Sequence, residues 1–143
     1  MLDKAYNLKV LTLCSWYPND FNPTLGNFVQ KHADTIALQN RAVSLAIFPS
    51  TTDTSIRLVH TTRNGLDELV VYYPKQERGF AFLRKAHNFF SHRKAFKSGY
   101  NKVLELMGQP DVVHLNIIYP LGIWALWLKW RFKIPYVITE NSS

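Results

Sequence analysis

The sequence predicts an α/β fold: a doubly wound, mainly parallel Rossmann-like sheet with helices on both faces and an inserted β-hairpin. Short apolar runs alternate with longer segments whose apolar residues recur at helical spacing. The connections between these runs are long enough for right-handed βαβ units, and two of the runs flank an Asn-Gly turn. A length of 143 residues with 47% hydrophobic content predicts one globular domain over residues 1–143.

The first half of the chain predicts a strand, a helix, a second strand and a hairpin. An apolar strand leads into a loop dense in turn formers, and a helix follows from Thr24, a candidate N-cap. The hairpin is predicted because Asn64-Gly65 strongly favours a two-residue turn. The predicted elements are the strand 9–15, the helix 24–39, the strand 42–49 and the hairpin strands 56–61 and 68–73.

The second half predicts a helix, a strand, a second helix and a last strand. Gly108 ends the long helix, and a turn at Tyr119-Pro120 precedes the amphipathic one. Arg93 falls on the apolar face of the long helix, where an unpaired guanidinium is costly. Either this helix breaks near Ser91-His92 or Arg93 faces a polar crevice. The predicted elements are the helices 80–107 and 121–131 and the strands 111–116 and 135–139.

Composition narrows the functional classes. No apolar run approaches the roughly 20 residues that cross a bilayer, and the N-terminus lacks a signal-peptide hydrophobic region, so we expect a cytoplasmic protein. A single cysteine, Cys14, permits neither a disulfide framework nor a thiolate metal site, and we expect it to be buried.

The net charge of +7 is concentrated in the long helix. Its cations form either a solvated helix face or a surface that attracts anionic phosphates. These phosphates belong either to a phosphorylated substrate or to the lipid headgroups of a cytoplasmic membrane to which the protein binds peripherally. We expect this basic segment to recruit the protein to anionic membranes electrostatically and reversibly, while Trp124, Trp127 and Trp130 of the next helix pack on the sheet. The cations are Arg84, Lys85, Arg93, Lys94, Lys97 and Lys102.

Polar side chains follow two predicted strands at their carboxyl ends. His114 and Asn116 end one strand, and Glu140 and Asn141 follow the next. Ligands bind at this edge of open α/β sheets, so we expect these side chains to share a crevice. Gly26 lies between the first strand and the first helix, where close backbone approach and the positive helix end suit a diphosphate. The sequence has neither the dinucleotide-binding glycine motif nor the P-loop motif.

Five motifs along the chain form an ordered set. They are Ser15-Trp16-Tyr17-Pro18, Gly26-Asn27-Phe28, His32-Ala33, Pro110-Asp111-Val112-Val113-His114 and Ile134-Pro135-Tyr136-Val137-Ile138-Thr139-Glu140. The set resembles the N-terminal domain of GT-B glycosyltransferases of family 4, over nearly the whole chain and most strongly at both ends. The resemblance implies the N-terminal half of a GT-B fold, truncated before its end and without the C-terminal donor-binding domain.

The resemblance also implies three groups of site residues. Relatives commonly carry histidine at the positions of Asn116 and Asn141, so here amides that bind sugar hydroxyls replace groups that could shuttle a proton. A side chain at Gly26, as in Gly26→Val, is expected to block the donor while leaving the fold largely intact. The implied groups are Gly26 and Asn27 for the donor diphosphate, Asn116, Glu140 and Asn141 for catalysis, and Trp16, Tyr17, Arg93 and His114 for the acceptor.

The function implied by the resemblance is that of the acceptor-side domain of a retaining hexosyltransferase. Such an enzyme moves a sugar from a nucleotide-sugar donor to a glycan or lipid-linked acceptor, and we expect no cofactor and no metal. Nucleic acid is not an expected partner. Two alternatives stay open. One is a non-catalytic or truncated relative that binds a ligand or a membrane, and the other is an unrelated phosphate-binding α/β domain whose basic face could contact nucleic acid.

Overall fold

The computed structural model describes residues 8–140, which form one α/β unit. The elements follow the predicted order, and their ends differ from the predicted ones by a few residues. They are β1 (Lys9–Cys14), α1 (Asn27–Ala37), β2 (Arg41–Ser50), β3 (Arg57–Arg63), β4 (Leu66–Pro74), α2 (Ala81–Met107), β5 (Val112–Asn116), α3 (Gly122–Phe132) and β6 (Tyr136–Thr139).

The strands form one open sheet in the order β3-β4-β2-β1-β5-β6. Every neighbouring pair is parallel except β3 and β4. The first strand, β1, lies in the centre of the sheet. The strands β2, β3 and β4 are added on one side of β1, and the chain then crosses to its other side with β5. This is a Rossmann-like order with an added edge strand. It places a switch point between the carboxyl ends of β1 and β5, where open α/β sheets bind ligands.

Asn64 and Gly65 join β3 to β4, as the sequence predicts. Their φ angles are 52° and 81°, and positive φ at both positions is what a two-residue turn between twisted strands requires. β3 therefore runs back along β4 and forms the antiparallel edge of the sheet. The inserted hairpin takes the place of a crossover helix between the parallel strands β2 and β4.

Helices pack on both faces of the sheet. The largest core cluster joins α2 and α3 to one face, which includes Leu11 and Leu13 of β1. On the other face, α1 packs through Val29 and Ala33. Cys14 is buried on the α1 side, which confirms the prediction for this residue. Successive side chains of β1 are therefore buried alternately on the two faces of the sheet, as in a strand covered on both sides.

α2 is one unbroken helix of 27 residues, about 40 Å long, and its buried residues all lie from Ala95 onwards. The predicted break near Ser91-His92 is therefore wrong. The other alternative, a polar crevice in front of Arg93, is found only as a shallow pocket formed by residues of α2, in which Arg93 is exposed. The inner position belongs to His92, whose Nδ1 accepts the indole N–H of Trp124 at 2.9 Å.

The three tryptophans of α3 differ in exposure. Trp124 is buried, and Trp127 packs edge-on against Phe96. Trp130 is 78% exposed, because steps of three residues turn progressively away from the sheet. The expectation that this stripe packs on the sheet is therefore wrong for Trp130. Within residues 8–140, no helix combines the length and the apolar character that crossing a membrane requires.

Candidate functional site at the carboxyl edge of the sheet

Ser15 connects the ends of β1 and β5 at the switch point. Its N–H donates to the Asn116 carbonyl at 3.3 Å, and its hydroxyl donates to the Ile117 carbonyl at 2.7 Å. The same hydroxyl accepts the N–H of Leu121 at 3.3 Å, so one buried side chain holds the loop before α3 against β1. Because Ser15 and Ile117 lie 102 positions apart, these bonds bring distant parts of the chain to one point.

Ile117, directly after β5, has a φ of 66°. This left-handed conformation is rare for β-branched residues and costs on the order of 1–3 kcal/mol, so it persists only where the surroundings hold it. The N–H of Ile117 donates to the Thr139 carbonyl at 2.8 Å, and Ser15 holds its carbonyl. The N–H of Ile118 donates to Glu140 Oε1 at 2.7 Å. The strained turn therefore lies at the predicted crevice, and Glu140 helps to fix it.

Asn116 is fully buried at the end of β5, and neither Oδ1 nor Nδ2 has a hydrogen-bond partner in the described part of the chain. Thr12 Oγ1 and His114 Nδ1, which lie on the same face of the sheet, are also buried without a partner. In folded proteins most buried polar atoms form hydrogen bonds, and a buried polar group without a partner costs about 1–3 kcal/mol of stability. This cluster of unmet polar atoms therefore marks the adjacent ends of β1 and β5 as a candidate site.

His114 is half-buried and is joined to the neighbouring strand β6. Its Nε2 and Thr139 Oγ1 form a hydrogen bond of 2.8 Å. Burial, and to a smaller extent the nearby His32, holds the pKa of His114 below its ordinary value. The imidazole is therefore neutral at neutral pH, where it offers hydrogen bonds and shape to a ligand but no positive charge.

Gly26 precedes α1 with a φ of 67°, and it is this residue, not Thr24, that caps the helix. A Cβ at this position would lie 2.7 Å from the carbonyl carbon of Trp16 and 2.9 Å from the backbone nitrogen of Tyr17. Glycine is thus required for the packing of the loop itself. The expectation that Gly26→Val leaves the fold largely intact is wrong, because the chain's own backbone fills the space. Asn27 is exposed at the first position of α1.

Trp16 and Tyr17 leave β1 in opposite directions. Trp16 is 41% exposed and packs edge-on against Phe28, with 6.3 Å between the ring centroids. Tyr17 is buried, and its hydroxyl donates to Glu68 and accepts from the Ser44 hydroxyl at 3.2 Å. The acceptor-binding role predicted for Tyr17 does not fit this position, because its only polar group is engaged in the core.

Glu68 is the centre of a polar network on the α1 side of the sheet. Its carboxylate accepts hydrogen bonds from Gln30 at 2.8 Å and Arg63 at 3.3 Å, besides that from Tyr17. Burial raises the pKa of Glu68, but the hydrogen bonds from Arg63, Tyr17 and Gln30 outweigh it and hold the pKa below its usual range. Arg63 also pairs with Asp34 of α1 at 2.9 Å. The network ties the hairpin to α1 and to the loop that contains Gly26.

An open groove of about 650 Å³ lies between the first half of α2 and the turn after β5. Its walls are mainly apolar and aromatic, and Lys85 contributes a positive charge to them. The sequence did not predict this groove, although the apolar residues of α2 exceed what the sheet can cover, which is the signal that could have found it. The walls include Tyr73, Phe89, Ile118, Tyr119, Ile123 and Trp124.

No protein-family model matches the chain, and no curated protein matches it either. Function is therefore inferred from the site. One predicted site residue, Asn141, lies outside the described residues. Within residues 8–140, no three His, Cys, Asp or Glu side chains are grouped as metal ligands would be.

The side chains at the carboxyl edge are better suited to hydrogen bonding than to proton transfer. His114 is a neutral imidazole, Asn116 an unpartnered amide, and Glu140 an exposed carboxylate that already accepts one N–H. The first turn of α1 adds N–H groups that lack helical partners, together with the positive end of the helix dipole. These groups suit the binding of a ligand rich in hydroxyl and phosphate oxygens.

Proposed function

We propose that the chain is the acceptor-side domain of a retaining glycosyltransferase with a GT-B fold, of which this sheet is the doubly wound N-terminal half. The enzyme transfers a sugar from a nucleotide-sugar donor to a glycan or a lipid-linked acceptor. One observation supports this above all: residues from motifs far apart in sequence meet at the carboxyl edge of the sheet. The contacts are those of Ser15 with Ile117, Gly26 with Trp16, His114 with Thr139, and Glu140 with Ile118.

On the donor side, the first turn of α1 is the proposed site for the diphosphate. Helix N-termini attract anions through unpaired N–H groups and the helix dipole. The Trp16 backbone closes the approach to the Cα of Gly26, so the proposed contacts begin at the N–H of Asn27. Gly26 acts as a positioning residue, because it lets the loop from β1 pack tightly against the start of this helix.

At the transferred sugar, Asn116 and Glu140 would bind and orient hydroxyl groups. The Asn116 amide has one acceptor and two donors, none of which is satisfied within the described residues. Because Asn116 is fully buried, a sugar reaches it only when the residues that cover it move. The next residue, Ile117, is strained, so a movement of the backbone there would relieve strain that the unliganded protein holds.

On the acceptor side, the groove beside α2 is the proposed site for the apolar part of a lipid-linked acceptor. Its aromatic walls also offer flat faces on which sugar rings could stack. Trp16 and His114 would contact the polar end of the acceptor near the switch point. We do not include Tyr17 and Arg93, since one is buried in the core and the other lies on the outer side of α2.

Sugar transfer further requires a domain that holds the nucleotide, which the resemblance places after this one. Residues 1–143 alone are therefore expected to transfer no sugar, because the donor is not held next to the acceptor. In the complete enzyme, the crevice described above would face the donor-holding domain.

The test is sugar transfer by the product of the whole reading frame that encodes the chain. Radiolabelled nucleotide-sugars are offered one at a time, with a membrane extract as the source of acceptors, and label is measured in lipid and polymer fractions. We expect transfer from one donor, and we expect Asn116→Ala to lower it about tenfold or more, because a group that orients the sugar is lost.

Asn101→Ala is the matched control, since Asn101 is exposed on α2 and lies outside the crevice. Melting temperatures show whether each variant is folded. No transfer from any nucleotide-sugar, or full activity in a folded Asn116→Ala variant, contradicts the proposal.

A further inference from the structure

Large apolar side chains are exposed along the first half of α2. Phe80 and Phe82 are 80% and 81% exposed, and none of the helix residues before Ala95 is buried in the fold. Contiguous apolar surface rimmed by polar residues marks a place where another molecule binds. The exposed residues are Phe80, Phe82, Leu83, Phe89 and Phe90.

Cations of the same helix lie among these apolar side chains. Phe90 lines a shallow pocket together with Arg93, Lys94 and Lys97, and Arg84 lines another with Phe80 and Leu83. The sequence has no Asp or Glu between Glu77 and Glu105, so no acid on this stretch neutralises the cations. We call the following residues the aromatic-basic surface, because at about 100° per residue they share one side of α2, with Lys85 and Phe89 outside it: Phe82, Leu83, Phe90, Arg93, Lys94 and Lys97.

We propose that the aromatic-basic surface docks the protein on an anionic lipid membrane. Cations on a helix attract anionic headgroups, and Phe and Leu side chains insert at the boundary between headgroups and acyl chains. The structure therefore adds an apolar contribution to the electrostatic attraction expected from the sequence. Docking is independent of sugar transfer, because it needs neither a donor nor an acceptor.

Other occupants fit this surface less well. A symmetric contact with a second copy would bring the same cations together with no acid to pair them, which is unfavourable. Single-stranded nucleic acid would be attracted by the cations, but it binds by stacking bases on aromatic faces. Leu83 is aliphatic, and its side chain offers no such face. Lipid accepts aliphatic and aromatic side chains alike.

The aromatic-basic surface and the groove lie on different sides of the first half of α2. Because α2 leads from β4 to β5, this half lies at the carboxyl edge of the sheet. Lys85 and Phe89 line the groove, whereas Phe90 and Lys94 line a pocket on the other side of the helix. A membrane bound to the aromatic-basic surface would therefore lie against the helix that forms one wall of the groove. If the proposed function holds, a lipid-linked acceptor would reach the groove around the exposed start of this helix.

Vesicle flotation with the purified chain tests the docking. One set of vesicles is phosphatidylcholine alone, and the other contains roughly a third phosphatidylserine, which carries the negative charge. We expect binding to the second set and little binding to the first. Salt should weaken this binding but not abolish it, since the cations are screened while the inserted apolar side chains are not.

Two paired variants separate the contributions. Lys94→Glu with Lys97→Glu should lower the affinity for anionic vesicles roughly tenfold or more. Phe82→Ser with Phe90→Ser should lower it by a similar factor and make the remaining binding fully sensitive to salt. All four side chains are exposed or outside the core, so circular dichroism should show an unchanged fold.

Matched controls carry the same chemical changes elsewhere. Lys31→Glu with Lys129→Glu changes the net charge equally, and Leu38→Ser with Leu126→Ser removes exposed leucines from α1's end and α3. Both control proteins should bind vesicles like the wild type. Equal losses in the controls, or no binding to anionic vesicles at low salt, would overturn the proposal.

Three further results would also overturn it. One is a dimer in sedimentation that Phe82→Ser with Phe90→Ser converts to monomer. Another is binding of an oligonucleotide through the same residues more tightly than vesicles. The third is loss of vesicle binding in a folded Trp130→Ala variant alone, which would assign the contact to α3.

Discussion

Replacing Asn116 by leucine is expected to make the protein more stable and the proposed enzyme inactive. The substitution removes two unpartnered polar groups from a fully buried position and keeps a side chain of similar size. Unmet polar groups cost about 1–3 kcal/mol each, and imperfect packing of the new side chain offsets part of the gain. A net stabilisation of about 1–3 kcal/mol follows, which for a domain of this length raises the melting temperature by about 3–10 °C.

The assay is thermal and urea unfolding of the chain, followed by circular dichroism. Thr12→Val removes the unmet hydroxyl of the neighbouring strand and should stabilise by a smaller amount, whereas Asn101→Leu on the surface should change little. Destabilisation of Asn116→Leu by more than about 1 kcal/mol would refute the reasoning. It would mean that the amide has partners in solution, such as an ordered water, and that Asn116 is not a vacant binding group.

Three other predictions concern stability. Gly26→Ala should destabilise more than Gly65→Ala, because both have positive φ but only the first places its Cβ against backbone; equal urea midpoints would contradict this. Tyr17→Phe should cost about 1–3 kcal/mol, since it removes a buried hydrogen bond to Glu68, and a neutral effect would count against the network. Burial lowers the pKa of His92 to about 4, against about 6.5 in the unfolded chain. Below pH 6.5 the unfolded chain takes up a proton at His92 that the folded protein does not. The stability of the folded protein therefore falls as the pH is lowered from 6.5 towards 4. The wild type should therefore lose about 3 kcal/mol more than His92→Phe over this range, and parallel pH profiles would refute that assignment.

The sequence was sufficient to predict the order of helices and strands, because its strongest local patterns agree with the tertiary structure. Asn64-Gly65 specifies the hairpin through positive φ at both positions, and Gly108 marks the end of α2. The polar ends of β5 and β6 were placed at one edge by the parallel direction of the strands. His114 and Thr139 indeed lie within hydrogen-bond distance there.

Individual side-chain directions were less predictable. Tyr17 and Trp16 are neighbours after β1, and only the buried partners of Tyr17, above all Glu68, decide which of the two turns inwards. In α2, a shift of one residue put His92 on the inner side in place of Arg93. Helical periodicity predicts a face to within about one residue, and tertiary packing decides the rest.

Two features of the site were not predicted from the sequence. The first half of α2 carries apolar residues at helical spacing, which ordinarily predicts burial, yet no element of the described chain covers Phe82 or Leu83. The tight contact of Gly26 depends on the path of the backbone at Trp16, a tertiary property that composition cannot show. The helical spacing of α2 was interpreted correctly, but the exposure of its first half was not predicted.

The most direct test of the central claim, that the carboxyl edge of β1 and β5 is the ligand site, is isotope-edited NMR of the chain's backbone amides. Nucleoside diphosphates and nucleotide-sugars are titrated singly, with inorganic phosphate as the control. We predict shifts concentrated at Ser15, Asn27, Ile117 and Ile118, which belong to the switch point and the first turn of α1. Shifts confined to the basic residues of α2, or a response to phosphate as strong as that to the nucleotides, would contradict the claim.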